Sequence, residues 1–412
     1  MWTGRWAEGT TDTGAMGRIP LVASPPGVEI LVCAPTLTEW QRERLRYSVT
    51  RAQALHRRAI VIDGHSDILI PVTEGKMSLE DRVQLPGLDW TAPPGLERDP
   101  LARFGFSPHT IWFGPMGQYD LPRWREGGVT SQLCAIYLDD HWLRDPFRRG
   151  MEMVWNLHDQ VARNEGLVLA TTAAQIRQAK QDDKVALVLT FEGCDALAAD
   201  PRMLDLYQAM GLRAASLTHT RRNVYADGCW AADRQGGLTG LGREVIERMH
   251  QLRIVVDLVH IGAVGFYEIL EMTDRPVILS HSTSSMFPDT SPEAQDLAGG
   301  RLPRPRLELP RDRKMLEAIA KNGGVLGLIH FAHRSLDTVV RDIETALDVM
   351  GPDHIGLGSD YYGLEFAPAG LEDISKVPAL TDTLVARGHS DEIILKFLGE
   401  NYLRVFETVW GA

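Results

Sequence analysis

The chain predicts an α/β fold, a closed (β/α)8 TIM barrel with an N-terminal extension and a long insert after strand 1. Three observations predict it. From residue 59 onward, short β-branched runs alternate with longer, more polar, helix-like segments, the pattern of parallel strands joined by helical crossovers. Eight such runs occur, and eight β/α units close into a barrel more readily than they spread into an open doubly wound sheet. Nearly every run ends in a histidine or a carboxylate, as expected where the C-terminal ends of all strands meet at one working face.

The elements follow in order. Residues 1–37, rich in Gly, Thr and Pro, read as an extension, partly disordered unless it docks. The barrel domain is expected over 38–412. Thr38 is placed as the N-cap of a helix reaching about residue 58, with Glu39, Trp40, Leu45 and Leu55 at loosely helical spacing. The expected strands are 59–65, 129–138, 184–191, 212–219, 253–259, 276–281, 323–330 and 354–360. Segments 151–165, 242–252, 314–321 and 336–350 read as crossover helices. The insert, about residues 72–125, holds many Pro, Gly and Trp and is expected to overhang the active face as an ordered loop.

Composition bounds the function. The chain has 412 residues, 44% hydrophobic and 24% charged, an ordinary globular mix that an α/β barrel can use as a single domain. A net charge of -12 with no domain-scale basic face argues against nucleic acid as a partner. Cys33, Cys134, Cys194 and Cys229 form no C-x-x-C pair, suggest neither a zinc knuckle nor a disulfide framework, and fit a reducing compartment. No stretch has the apolar length of a membrane helix. Residues 1–24 carry Arg5, Glu8, Asp12 and Arg18 and no apolar signal core, so a cytoplasmic location is expected.

The strand ends carry the chemistry. His65 and Asp67 close the first run, separated by one residue, so the period of two points them the same way. Glu192 follows the third run. His219, His260, His281 and His330 close the fourth to seventh, and Asp360 the eighth. Ionisable groups gathered in a barrel mouth are costly unless paired or metal-bound. The set supplies enough ligands for two closely spaced divalent ions, zinc favoured by the imidazoles, manganese or cobalt compatible with the oxygens. Glu192, in the middle, is the natural bridging carboxylate. A shared water would lose its proton near neutral pH and attack an amide or ester.

The motifs that carry a resemblance are Ile62-Asp63-Gly64-His65-Ser66-Asp67, Phe191-Glu192-Gly193, Leu217-Thr218-His219 and Ala226-Asp227-Gly228. They continue with Asp257-Leu258-Val259-His260, Pro276-Val277-Ile278-Leu279-Ser280-His281-Ser282 and Gly356-Leu357-Gly358-Ser359-Asp360. Gly370-Leu371-Glu372-Asp373 and Asn401-Tyr402-Leu403-Arg404-Val405-Phe406 complete them. From about residue 50 to 408 the chain resembles the membrane (renal) dipeptidase family of binuclear zinc peptidases, within the amidohydrolase-like superfamily.

That resemblance implies two Zn2+ ions per chain, one held by His65 and Asp67, the other by His260 and His281, with Glu192 bridging. It implies hydrolysis of the peptide bond of small dipeptides by a hydroxide bridging the two ions. His219 would polarise the scissile carbonyl without binding metal, and Asp360 would carry the proton from water to leaving amine. An Arg after the sixth strand would grip the substrate carboxylate. Here the family's Arg-Asn pattern is missing; Arg301, Arg304 and Arg306 are available, with Arg306 the first choice and Arg304 next. Two further departures are Tyr361-Tyr362-Gly363, where the family usually has an aromatic and a second Asp, and His330, where relatives carry a smaller amide. Tyr362 is expected at the substrate; His330 either touches substrate or hydrogen-bonds within the barrel. The ligands are intact while substrate recognition has changed, so an alternative substrate is a lactam or a peptide-like metabolite. A homodimer follows from resemblance alone.

Weaker signals complete the reading. The glycine-rich stretch 236–242 does not follow a strand in the dinucleotide pattern and reads as a loop entering a helix. Asp63 is expected to orient the backbone or a partner of the ligands, and Asp257 to buttress the site. Trp112 and Tyr119 are candidate pocket walls; His109, His141, His333 and His354 read as structural or surface. A barrel that only binds a ligand would require a broken ligand set, and all of the ligands are present.

Overall fold

The computed structural model describes residues 51–83, 117–229, 236–284, 313–328, 330, 335–363 and 367–411. The predicted extension 1–37, the cap at Thr38 with residues 39–50 of its helix, residues 84–116 of the insert with His109 and Trp112, residues 285–312 of the loop after the sixth expected strand with Arg301, Arg304 and Arg306, and His333 lie outside these residues.

The described strands are β1 (Ile62–Asp63), β2 (Ser131–Tyr137), β3 (Leu167–Leu169), β4 (Val185–Glu192) and β5 (Leu212–Ser216). They continue with β6 (Val255–Asp257), β7 (Ile278–Ser282), β8 (Val325–Leu328) and β9 (Ile355–Leu357). Every pairing is parallel. Strand β2 pairs with β4 along Ser131↔Ala186 to Tyr137↔Glu192, and β1 pairs with both β2 and β9, so β1, β2 and β4–β9 form a closed eight-membered ring. All eight predicted strands are members of it. Strand β3, not predicted, lies outside the ring and pairs only with the first half of β4.

Strand β4 is buried along its whole length, which explains its nearly unbroken apolar sequence, Val-Ala-Leu-Val-Leu-Thr-Phe. The helices follow their sequence signals. Gly240–Leu252 begins on the Thr239 cap and Leu336–Met350 on a Ser335 capping box. Arg313–Asn322 matches the expected helix within a residue at each end. Pro146–Arg163 starts before the predicted residue 151, because Pro146 is suited to a first helical position. Residues 51–58 are helical. No described helix is long and apolar enough to cross a membrane.

The alternation of the strands divides the core. Val61, Cys134, Leu187, Leu189, Val256 and Leu326 pack with the surrounding helices. Their neighbours Ile62, Leu133, Val188, Ala214, Val255, Ile278 and Val325 form a second cluster with Tyr402, Leu403, Phe406 and Trp410. The helix Asn401–Trp410 thus supplies aromatic mass to the barrel interior, with Phe406 stacked on Trp410 at 4.1 Å and on Tyr402 at 5.8 Å. Gly64, Gly327 and Gly356 leave the space that the Tyr402 ring occupies; a Cβ on any of them would collide with it.

Candidate metal centre

The predicted strand-end residues converge. His65, Asp67, Glu192, His260, His281 and Asp360 are all buried. His65 Nε2 lies 3.7 Å from Asp67 Oδ2, 3.6 Å from Glu192 Oε2 and 3.7 Å from Asp360 Oδ1. The other oxygen of Glu192, Oε1, lies 2.8 Å from His260 Nε2, 3.6 Å from His281 Nε2 and 3.7 Å from His219 Nε2. The two oxygens of Glu192 therefore face two different sets of side chains. His260 and His281 point their Nε2 atoms at one another across 3.0 Å.

The arrangement fits a divalent cation. Ligand atoms of His65, Glu192 and His281, of Glu192, His219 and His260, and of His65, Asp67 and Asp360 lie within 4.8 Å of one another in each group. His65 Nε2 and Asp67 Oδ1 are buried with no hydrogen-bond partner among the described residues. A buried lone pair or carboxylate oxygen in that condition is expensive unless a cation meets it. Charge gives the same answer. Burial alone would remove the His65 proton, but Glu192, Asp67 and Asp360 outweigh it and raise the His65 pKa to about 10. Burial, reinforced by Glu192, raises Asp67 to about 6. Glu192 is raised as well, chiefly by burial. A cation bound among these groups would displace the proton that such shifts favour.

His219 stands apart. Its side chain is 29% exposed, against 5% for Glu192, so it is the imidazole that an incoming ligand reaches. Its ring packs edge-on to Tyr137 at 4.6 Å and tilts over His260 at 4.4 Å. Nδ1 shares a hydrogen bond of 3.1 Å with the Thr220 hydroxyl. Burial and then the His260 charge push its pKa well below the ordinary value, so it is neutral at pH 7.

Behind the cluster are two polar networks. The Asp63 carboxylate accepts from the Ser359 amide at 2.7 Å, the Ser359 hydroxyl at 2.5 Å, the Tyr119 hydroxyl at 2.8 Å and Gln132 Nε2 at 3.0 Å. Tyr119 and Gln132 also donate to the His65 carbonyl, at 3.0 and 3.2 Å. On the opposite side, Asp257 Oδ1 accepts from the amides of Val259 and Ser280, at 3.0 Å each, immediately before His260 and His281. Both aspartates behave as supports, in line with the sequence reading. His260 and Asp360 have left-handed backbones, φ 59° and 60°, sparsely used by residues with a side chain and concentrated at functional sites. Gly363 closes the turn after Asp360; a Cβ there would collide with Asp360 Oδ1 and lie 2.9 Å from Asp67 Oδ2.

Some expected residues are placed differently. The Tyr362 hydroxyl accepts from the amides of Gly117 and Gln118, at 2.7 and 3.3 Å, and its own amide donates to Gln118 Oε1 at 3.0 Å. It fastens the returning end of the insert to the Asp360 turn. Tyr119 is fully buried in the Asp63 network, behind the ligands, rather than forming a pocket wall. His330 is fully buried, its ring edge-on to Tyr361 at 5.2 Å and its amide donating to the Ser359 carbonyl at 3.3 Å. His354 Nδ1 donates to the Gly324 carbonyl at 2.9 Å, a structural contact. The sequence reading assigned nothing to the end of β2. Tyr137 ends it, in register with Glu192, and period-two alternation from Leu133 through Ala135 could have flagged it.

Comparison with known proteins adds to this geometry. A family model described as membrane dipeptidase, peptidase family M19, matches residues 49–297 and 301–411. The chain is 27% identical over 310 residues to the dipeptidase verJ of Clonostachys rogersoniana, covering 70% of this chain and 75% of that one. It is 27% identical over 375 residues to the dipeptidase aclJ of Aspergillus oryzae, covering 85% and 78%. Among solved structures it is similar to a metallopeptidase called dipeptidase AC, with 25% identity, a TM-score of 0.66, and coverage of 86% of this chain and 99% of that one. An amidohydrolase from Pseudomonas aeruginosa shares the fold with a TM-score of 0.65 at 21% identity, covering 88% and 99%.

Proposed function

The chain belongs to the membrane dipeptidase family of metallopeptidases, and from that premise we propose that it hydrolyses the peptide bond of small dipeptides at a binuclear zinc centre. The observation that supports the two-ion reading best is Glu192, whose Oε2 faces His65 while Oε1 faces His260 and His281. His65 and Asp67 would hold one ion, His260 and His281 the other, with Glu192 shared between them. Two zinc ions held there would supply a hydroxide nucleophile at neutral pH and polarise the scissile carbonyl.

The chain's own residues do the rest. His219, neutral and partly exposed, donates an N–H to the oxygen on which charge develops in the transition state. Asp360 Oδ1, beside His65, accepts a proton from the attacking water and delivers it to the leaving amine. Arg306 or Arg304 would pair with the substrate's free carboxylate, a task suited to a bidentate guanidinium.

The test is metal analysis of the purified protein by mass spectrometry, followed by turnover of a panel of L,L- and L,D-dipeptides. Expected are two equivalents of metal, loss of activity on strong chelation, and recovery with zinc. A protein that carries no metal and ignores chelators overturns the reading; bound metal without turnover of any dipeptide moves the substrate to another amide.

A further inference from the structure

We propose that Tyr402 is a positioning residue for His281, fixing the strand irregularity that aims this imidazole at the metal centre. The proposal rests on the metal role assigned to His281 above and extends it to a helix that no part of that mechanism uses.

Strand β7 does not run evenly against β8. Leu279 pairs with Leu326 and Ser282 with Leu328, so β7 uses one more residue than β8 between the same two points. An extra residue of this kind kinks a strand and re-aims a side chain. The displaced residues are Ser280 and His281. A carbonyl turned out of the ladder in a buried place needs another donor. The Tyr402 hydroxyl, itself fully buried, is 3.2 Å from the Ser280 oxygen and donates to it.

The surroundings are shaped for this contact. A Cβ on Gly327 or Gly358 would collide with the Ser280 oxygen, and one on Gly64 would lie 2.7 Å from it. Gly64, Gly327 and Gly356 also clear the path of the Tyr402 ring. Ser280 is then held at each polar atom. Its amide donates to Asp257 Oδ1 at 3.0 Å, its hydroxyl meets His281 Nδ1 at 3.0 Å and also bonds Asp257, and its carbonyl accepts from Tyr402. An Nδ1–H that donates to the Ser280 hydroxyl leaves the lone pair on Nε2, the atom facing Glu192 and His260. Tyr402 thus governs the backbone of the residue that governs the tautomer and tilt of the ligand.

The test is Tyr402→Phe, which keeps the ring and deletes the hydroxyl. Two readouts are taken on purified full-length protein: the rate at which a chelator removes zinc, and hydrogen exchange of the peptide spanning residues 276–282 in the metal-free protein. Expected are zinc loss faster by about 10- to 100-fold for one of the two ions, the range for partners behind a metal ligand, and faster exchange in that peptide. Ser280→Ala keeps the carbonyl contact and removes the hydroxyl at Nδ1; it should speed zinc loss and leave exchange unchanged. Wild-type zinc retention or wild-type exchange in Tyr402→Phe overturns the proposal. A wild-type protein that binds no metal overturns the metal reading instead, while the exchange experiment still decides whether Tyr402 holds the kink. Should Tyr402→Phe not purify folded, Tyr402→Leu carries the same two readouts.

Discussion

Asp63 and Ser359, 296 positions apart in sequence, are joined by two hydrogen bonds, from the Ser359 amide at 2.7 Å and from its hydroxyl at 2.5 Å. This contact closes the seam between β1 and β9, where the ring begins and ends, and each partner stands next to a site residue. His65 follows Asp63 by two residues, and Asp360 follows Ser359 directly. The 3.7 Å between His65 Nε2 and Asp360 Oδ1 is set from behind by this pair.

Replacing Asp63 by Asn keeps one acceptor oxygen and sets an NH2 group either against Ser359 N, at the Oδ1 position, or against Ser359 Oγ, Tyr119 Oη and Gln132 Nε2, at the Oδ2 position. A buried group left unsatisfied costs about 1–3 kcal/mol. Asp63→Asn is expected to lose that much stability in denaturant titration and to lower kcat more than it raises KM. Wild-type values for both would remove the seam from the account of Asp360 placement.

Glu192→Gln removes the charge that faces both sides of the centre. Turnover is expected to fall by more than the about 10- to 100-fold typical of a partner behind a ligand, with metal content falling in parallel. Steady-state kinetics alongside metal analysis checks this; full metal content in an active variant contradicts the bridging role.

His219→Ala separates a ligand from a substrate-facing group. If His219 only stabilises the developing oxyanion, kcat drops by about 10²–10³ while the metal content stays at the wild-type level. Loss of one equivalent of metal in this variant would reassign His219 as a ligand, an arrangement its 3.7 Å distance to Glu192 Oε1 leaves geometrically open.

His56 gives the fold a pH dependence on the acid side. Its Nδ1 meets Thr381 Oγ1 at 2.7 Å and its Nε2 the Gly127 carbonyl at 2.9 Å, and burial lowers its pKa below the ordinary 6.5 despite the carbonyl contact. Lys180 lowers it further and Asp382 acts the other way. The unfolded chain therefore binds a proton first as pH falls. The His56 contribution to stability is full above about pH 6.5 and declines below it, by up to about 1.4 kcal/mol per pH unit, until the folded state also protonates. Unfolding free energies of wild type and His56→Gln compared between pH 7 and 5 check this: the difference, wild type minus variant, should fall as pH drops below about 6.5, and a pH-independent difference contradicts it.

The convergence of the strand-end side chains was legible in the sequence because their positions repeat a local rule. His65, Glu192, His260, His281 and Asp360 each follow an apolar run, and parallel strands in a closed ring must deliver their ends to one face. What it did not find depends on contacts between distant segments. Gln132 is the second residue of β2 and looks like any polar residue there; only the pairing of β1 with β2, which sets Asp63 opposite Gln132, brings the two together. Tyr119 was placed at the pocket because it sits in the insert, yet its hydroxyl reaches back to Asp63, 56 positions away. Tyr362 looked like a substrate residue because it follows Asp360, but a left-handed backbone, φ 71°, turns it towards Gly117. Strand β3 was missed because three residues, Leu167–Leu169, are too short for a period to register.

The helix Asn401–Trp410 also bears on how the protein is made. All of the proposed ligands have been synthesised by His281, but Tyr402 reaches Ser280 from 122 positions further along. Contacts of such separation form late, because a long loop must close before they reward it. During translation the ligand strands precede the aromatic stack that fills the space beneath them. A nascent chain stopped before residue 401 would hold every metal-binding side chain above an unfilled, sticky barrel. Until that segment leaves the ribosome and packs, the Ser280 carbonyl lacks its Tyr402 partner, and the strand that carries His281 lacks the contact that holds its kink.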